Sequence, residues 1–393
     1  MTLSTIYGLR LLDEPRIRRS IIVVVLTIVL AFRVLQLVAF SGQIQWGYDF
    51  SAYWAAAGHL LNGGSIYDPA QLVASYSPQQ QYLYLYPPFL AVAVTPLAAL
   101  FPADYRLANL VWAVIGAVVA ALVVLGVSRR EGVGERRDAA LVLGAAFAFP
   151  PLIGELVMGN VHLLLLGLLG GAWLALRDER PGTAAVAGIL IGIATLIKIF
   201  PGLVIVWLLL RGRYRSAAWA IGAIVALAIA TIPITGVTPW LDYPRVLANL
   251  GPPVDTRDTL APIVWLSALI PVGLARVVVA VVGLGAVAWA ARNRSEPVSF
   301  AVAVTASILI APALYHHYLA VLILPLLLAA RWAPPWGWLA VAYLAMFGGD
   351  QAALGDVGWV INRLLPTVGA VLLLIGLLRQ GARAPASAAA EPA

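Results

Sequence analysis

Long apolar runs, separated by short polar or proline-rich stretches, follow one another from residue 20 almost to the carboxyl end. A run of about 20 apolar residues can cross a bilayer as a helix. Backbone groups in lipid must be satisfied within their own segment, and the alternating stretches that build a barrel are absent. The pattern therefore predicts an all-α polytopic membrane protein with about twelve transmembrane helices. They are read at 20–40, 106–127, 139–153, 161–176, 183–197, 199–211, 216–235, 274–291, 298–312, 316–331, 336–348 and 358–379. Segment 88–100 is apolar but short, and Pro87, Pro88 and Pro96 interrupt it, so it reads as re-entrant or interfacial. Phe50 to Leu61 reads as an amphipathic helix, with Asp49 as its N-cap and Asn62-Gly63-Gly64 as its stop.

Composition agrees. Of 393 residues, 62% are hydrophobic and 11% charged, with a mean hydropathy of +0.92. A soluble domain carries about 25% charged residues. No small-residue cleavage site follows Ile21 to Phe40, so that run reads as a retained span. The chain has no cysteine, which excludes disulfides, thiolate chemistry and Cys-ligated metals. The net charge of +7 is compatible with nucleic-acid binding, but in a membrane protein it reads as basic cytoplasmic loops.

The arginines set the expected orientation. They cluster at Arg10, Arg16, Arg18, Arg19; at Arg129, Arg130, Arg136, Arg137; at Arg177, Arg180; at Arg211, Arg213, Arg215; at Arg292, Arg294; at Arg331; and at Arg379, Arg383. The positive-inside rule puts these loops and both termini in the cytoplasm. Residues 1–383 then form one integral membrane domain, with a first extracytoplasmic loop at 41–105 and a disordered cytoplasmic tail at 384–393. Asp49, Asp68, Glu155, Lys198, Asp242, Asp255, Asp258, His316, His317, Asp350 and Asp356 all fall on the outer side. The expected chemistry is extracytoplasmic.

Asp49 is the first candidate. A carboxylate can take a proton from a hydroxyl as a bond to an electrophile forms. Tyr48, Phe50, Tyr53 and Trp54 around it suit a sugar ring; the competing role is the N-cap itself. Asp68, in Tyr67-Asp68-Pro69, reads as a turn residue. Lys198 is the only lysine. Between two apolar helices its charge is costly, and a phosphate-bearing ligand explains it better than snorkelling. His316 and His317, between Tyr315 and Tyr318, read either as hydrogen-bond donors to phosphate or sugar or as an interfacial aromatic cluster. Adjacent histidines point to different faces of a helix, and no His-x3-His spacing supports a metal, so neither metal nor cofactor is expected. Glu155 and Asn160 bracket a predicted hairpin tip at 154–160, with His162 entering the next span. They are substrate-site candidates by default, against a role in helix–helix hydrogen bonding. Arg33 either snorkels or lines a cavity. Asp242, Arg245, Asp255, Arg257 and Asp258 read as a solvated loop with weak surface pairs.

Tyr48-Asp49-Phe50-Ser51-Ala52-Tyr53-Trp54, Leu61-Asn62-Gly63-Gly64-Ser65-Ile66-Tyr67 and Tyr86-Pro87-Pro88-Phe89 together resemble the opening of glycosyltransferase family 87. Lys198-Ile199-Phe200-Pro201 is similar to that family's Lys-x-x-Pro step. Ala311-Pro312 with Tyr315-His316-His317-Tyr318 resembles its late Ser-Pro…His-His segment, alanine replacing serine. Gly159-Asn160-Val161-His162 departs from its Gly-Gln-x-Asn-like pattern. The resemblance spans roughly residues 45–330 and implies a GT-C-type bundle with amphipathic or re-entrant helices in the first outer loop. It implies a hexosyltransferase that moves a sugar, mannose by preference, from a polyprenyl phosphate to a glycan or glycolipid acceptor. Asp49 would be the general base, and Lys198, His316 and His317 would hold the donor phosphate. Tyr48, Tyr53, Trp54, Tyr86, Glu155, Asn160, His162 and Tyr315 would line the substrate site.

The bare sequence is compatible with that chemistry. A lipid-phosphate donor needs a membrane groove and a cation for its leaving group, and no Gly-rich nucleotide loop is present. A base and a leaving group on opposite faces of the sugar predict inversion. The expected partners are the lipid donor, a lipid-linked or polysaccharide acceptor, and membrane lipid. The rivals are a transporter or flippase of a lipid-linked sugar and another GT-C activity such as arabinofuranosyl transfer. A transporter tends to show an internal repeat, and none is evident.

Overall fold

The computed structural model describes residues 15–78, 80–133, 138–178, 180–251, 259–333, 337–348 and 360–379. Asp255, Arg257, Asp258, Asp350, Asp356, Arg10, Arg136, Arg137, Arg383 and the tail 384–393 lie outside the described residues.

Among the described residues the fold is all helical apart from one isolated parallel bridge, Tyr76 to Leu250. The first long helix, α1 (Pro15–Ser41), is followed by α2 (Tyr48–Leu61), the one-turn α3 (Ala70–Val73) and α4 (Pro88–Leu100). Then come α5 (Tyr105–Glu131), α6 (Ala139–Ala148), α7 (Pro150–Met158), α8 (His162–Leu176), α9 (Thr183–Ile197) and α10 (Gly202–Leu210). Next are α11 (Tyr214–Thr235), α12 (Thr238–Ala248), α13 (Pro262–Ser267), α14 (Val272–Asn293) and α15 (Glu296–Leu309). A 3-10 segment, His316–Leu322, runs into α16 (Ile323–Trp332), followed by α17 (Gly337–Ala345). A π-helical turn, Val360–Leu364, opens α18 (Leu365–Arg379).

Among the described residues five helices are long and apolar enough to cross a membrane, and a sixth if the bent pair α6–α7 counts as one span. The apolar α4, α8, α9, α15 and the 3-10/α16 unit are shorter. The core lies around α15, whose residues from Pro297 to Leu309 are all buried. A helix apolar on every side belongs inside. The opposite case is α1, apolar and largely exposed, as a lipid-facing helix would be.

Three expectations change. First, Asp49 does not precede its helix. Gly47, with φ 69, is the cap, and Asp49 is the second residue of α2. Second, the span read at 139–153 is a helix broken at Phe149-Pro150-Pro151 and bent by 61°. Proline is tolerated in a helix's first turn but not in its interior, so the pair ends α6 and starts α7. Glu155 therefore sits within α7, and the tip contracts to Gly159, Asn160 and Val161. Gly159 has φ 68, and a Cβ there would come within 2.0 Å of Asn109 Oδ1. Third, residues 236–273 are no simple loop. Helix α12 packs on α3 and α4, and Tyr76 N donates to Asn249 O at 3.1 Å while Gly251 N donates to Tyr76 O at 2.9 Å.

The break also accounts for Arg33. Its side chain is held across to the break: Nε donates to Ala148 O at 3.3 Å, a carbonyl at the end of α6. Asp68 keeps the expected turn role, accepting from Ala70 N at 2.8 Å.

The arginine-bearing helix ends contact one another. Arg331 Nε donates to Glu131 O at 3.1 Å, Arg211 to Ala291 O at 2.9 Å, and Arg213 Nε to Glu296 at 2.8 Å. Glu131, buried at the end of α5, accepts from Trp173 at 2.9 Å, Trp332 at 2.7 Å and Arg177 at 3.2 Å. One carboxylate thus joins α5, α8 and α16.

Helix α9 crosses α11 through Gly188 and Gly192, a small-xxx-small pair. A Cβ on Gly188 would lie 2.3 Å from Ser216 O, and one on Gly192 2.5 Å from Ala220 O. Without a hydrophobic drive between helices in lipid, such close backbone contact is what packs them. We expect Gly192→Ala to lower stability by about 1–3 kcal/mol through overpacking. Gly222→Ala on α11, where a Cβ meets nothing within 4 Å, should be neutral or mildly stabilising. Thermal unfolding of the two purified variants in detergent checks the difference.

Candidate active site

Four breaks in the helical pattern deliver polar side chains to one place. These are the start of α2, the α7–α8 turn, the α9–α10 break and the approach to the 3-10 segment. They frame a cavity of about 470 Å³. Asp49, Tyr48, Tyr86, Lys198, Tyr315 and Tyr318 form its polar side. Leu83, Leu85, Ile199, Leu247, Leu250 and Ile310 form an apolar side. The size is in the range of ligand pockets.

Asn160 fixes Asp49. Its Oδ1 accepts from Tyr53 OH at 2.9 Å, Tyr86 OH at 3.3 Å and Val161 N at 2.7 Å. With three donors on the oxygen, the amide can sit only one way round, and Nδ2 donates to Asp49 Oδ2 at 2.7 Å. Burial pushes the Tyr53 and Tyr86 phenols upward, so both keep the protons they donate. Trp112 Nε1 donates to Asn160 O at 2.9 Å and holds the turn from behind. On its other side Asp49 Oδ2 lies 3.0 Å from His317 Nε2. The amino end of α2 also favours negative charge there.

A second chain reaches Lys198. Glu155 Oε2 is 3.1 Å from His162 Nδ1, and His162 Nε2 is 3.0 Å from Lys198 Nζ. Glu155 Oε1 also accepts from the His162 backbone N–H. The amine sits 3.7 Å from the ring centroid of Tyr318 and 5.2 Å from that of Tyr86. Lys198 follows α9 in extended backbone, where Pro201 ends the non-helical break before α10. Burial pushes its amine down to about 7, partly offset by the Glu155 and Asp49 carboxylates.

Glu155, His162 and His317 each bring one ligand atom within 4.8 Å of the others. Their arrangement does not suit a metal ion. Two of the imidazole nitrogens are already taken by carboxylates, His162 Nδ1 by Glu155 and His317 Nε2 by Asp49.

Of the expected site residues, Asp49, Tyr48, Tyr86, Lys198 and Tyr315 line the cavity. Tyr53, Glu155, Asn160, His162 and His317 are buried behind it. Two are not brought there. His316 turns away, its Nε2 3.0 Å from Met346 O. Trp54 donates to Phe101 O at 2.9 Å and packs on Tyr105. His317 meets the carboxylate rather than facing the cavity as a phosphate donor. Sequence reasoning missed Tyr243, Tyr318 and Arg276 as lining residues. Arg276 lies near the amino end of α14, away from the arginine clusters, and that isolation was the available signal.

The sequence profile of glycosyltransferase family 87 matches residues 84–314. The chain belongs to glycosyltransferase family 87, and that membership makes this apolar helical bundle a membrane glycosyltransferase. The chain is also 26% identical over 325 residues to a curated protein of Mycobacterium tuberculosis (strain CDC 1551 / Oshkosh), covering 76% of this chain and 72% of that one. That protein is the polyprenol-phosphate-mannose-dependent alpha-(1-2)-phosphatidylinositol pentamannoside mannosyltransferase. Asp49 and His317 lie outside the profile match and rest on the geometry above.

Two outcomes follow. Asn160→Ala should leave the fold intact but free the Asp49 side chain, and a misplacement of about 1 Å costs on the order of 100-fold in rate. Steady-state transfer by the folded variant checks this. Because Lys198 is the only lysine, amine acylation at one peptide reports its titration. A neutral amine reacts, so labelling should rise with pH through about 7, well below the ordinary lysine range near 10.4. Peptide mass spectrometry across a pH series measures it.

Proposed function

We propose that this chain transfers a hexose, mannose by preference, from a polyprenyl-phosphate donor to a glycan or glycolipid acceptor at the extracytoplasmic face. The observation that carries this reading is that a carboxylate, Asp49, and a cation, Lys198, line the same cavity beside an apolar wall. A lipid phosphosugar has matching parts: a sugar, an anion and a hydrocarbon chain. The relative's dependence on polyprenol-phosphate-mannose supports the donor, and its glycolipid acceptor supports the acceptor class.

In this reading Asp49 takes the proton of the acceptor hydroxyl as that oxygen attacks the anomeric carbon. Lys198 neutralises the charge that develops on the departing phosphate. Attack and departure on opposite faces of the sugar invert the anomeric centre. His317 and Asn160 orient the base. Tyr48, Tyr86, Tyr315 and Tyr318 provide ring faces and hydroxyls for the sugar, and Arg276 supplies a second cation at the cavity wall. The arginine-rich helix ends face the cytoplasm, following the positive-inside rule, and the cavity opens on the other side of a multi-pass plasma-membrane protein.

The test is transfer from radiolabelled polyprenyl-phosphate-mannose in membranes, comparing the wild type with Asp49→Asn. The variant should fold and lose about 10²–10⁴-fold in rate, the usual worth of a general base. Equal rates would move the base elsewhere. Donor movement across the bilayer without transfer by the wild type would point to a flippase.

A further inference from the structure

The cavity explains Asp49 and Lys198 but not what lies behind them. Glu155, His162 and His317 are 1%, 0% and 3% exposed, and none lines the cavity. Burying three titratable side chains is costly, and apolar residues would fill the same space without that cost. They are also ordered in space. Asp49 Oδ2 is 3.0 Å from His317 Nε2, and the ligand atoms of His317, Glu155 and His162 lie within 4.8 Å of one another. Glu155 Oε2 is 3.1 Å from His162 Nδ1, and His162 Nε2 is 3.0 Å from Lys198 Nζ. The two ends of this series open into the cavity and the middle is sealed from solvent.

We propose that His317, Glu155 and His162 form a buried proton path that returns to Lys198 the proton Asp49 takes from the acceptor. The proposal rests on the transferase reading above.

The balance closes without another reactant. The acceptor O–H bond breaks, its oxygen bonds the anomeric carbon, and its proton goes to Asp49. The bond from the anomeric carbon to the phosphate oxygen breaks, and its electron pair stays on the phosphate, which gains one negative charge. The Lys198 ammonium gives a proton to that phosphate and becomes neutral. The proton on Asp49 then passes through His317 and the Glu155–His162 pair and restores the ammonium. The net result is one proton carried from acceptor hydroxyl to lipid phosphate.

Three features favour transfer along this series over plain packing. Each nitrogen of His162 faces one titratable partner, the arrangement by which an imidazole accepts a proton on one side and releases it on the other. The gap from His317 to the pair is within 4.8 Å, short enough for small side-chain displacements to carry the proton across. Burial sets the Lys198 amine near 7, close to the second ionisation of a phosphate monoester near 6, so the proton can pass in either direction. Glu155, His162 and His317 do not line the cavity. They are positioning residues that act through Asp49 and Lys198.

The test compares two donors in the wild type, His162→Gln and Glu155→Gln. One is the polyprenyl-phosphate sugar; the other is its phosphorothioate, whose leaving group is less basic and has little need of a proton. With the ordinary donor each variant should lose about 100-fold in kcat, the scale of general acid–base assistance, with little change in donor KM. With the phosphorothioate the loss should shrink to less than about 10-fold. Equal losses with both donors would mean a structural role and overturn the proposal alone. No transfer by the wild type from either donor would overturn the functional reading and the proposal together. Glu155→Gln, which keeps shape, preserves the comparison if His162→Gln fails to fold.

Discussion

A single ammonium group, Lys198, sits where an apolar helical bundle has been broken to receive it. Charge in such a place is stabilised only by close partners. Here they are one imidazole nitrogen at 3.0 Å and the faces of Tyr318 and Tyr86. The imidazole is in turn held by Glu155. This requirement draws α7, α8, α9 and the 3-10 segment to one point. The α9–α11 crossing through Gly188 and Gly192 packs the helix that delivers the lysine. At the opposite end of α5 and α8, Glu131 and its tryptophans close the bundle.

Asp49 is treated differently from Glu155. Both carboxylates are near Lys198, yet Glu155 is fully engaged inside while Asp49 remains 24% exposed in its side chain and borders the cavity. Asn160 makes the difference. Its oxygen is occupied by three donors, which turns its amide toward Asp49 and fixes the carboxylate at the cavity wall. One group is buried against His162, the other presented to act.

Much of this site was legible in the sequence because polar residues in apolar surroundings are rare. Lys198-Ile199-Phe200-Pro201 announced a break, and Tyr48-Asp49 and Tyr315-His316-His317-Tyr318 announced breaks of their own. What sequence missed depends on partners far along the chain. Arg33 looked like a snorkelling or cavity residue because Ala148 O, its acceptor, is 115 positions away. The span read at 139–153 ran through Pro150 and Pro151, because a proline pair that starts a second helix leaves the apolar pattern unbroken. Two adjacent histidines were given one role, and only the three-dimensional backbone sends His316 to Met346 O and His317 to Asp49. Tyr243 and Arg276 join the cavity from segments with no local motif.

The central claim is that the donor's phosphate rests on Lys198 with its sugar toward Asp49. A cryo-electron microscopy structure of the wild type with a non-transferable polyprenyl phosphosugar analogue tests it directly. The account predicts the phosphate within hydrogen-bond distance of Lys198 Nζ, the anomeric carbon facing Asp49 and the prenyl chain along Leu83, Leu85 and Leu250. Density for the phosphate at the arginine-rich end, or a sugar turned away from Asp49, would contradict it.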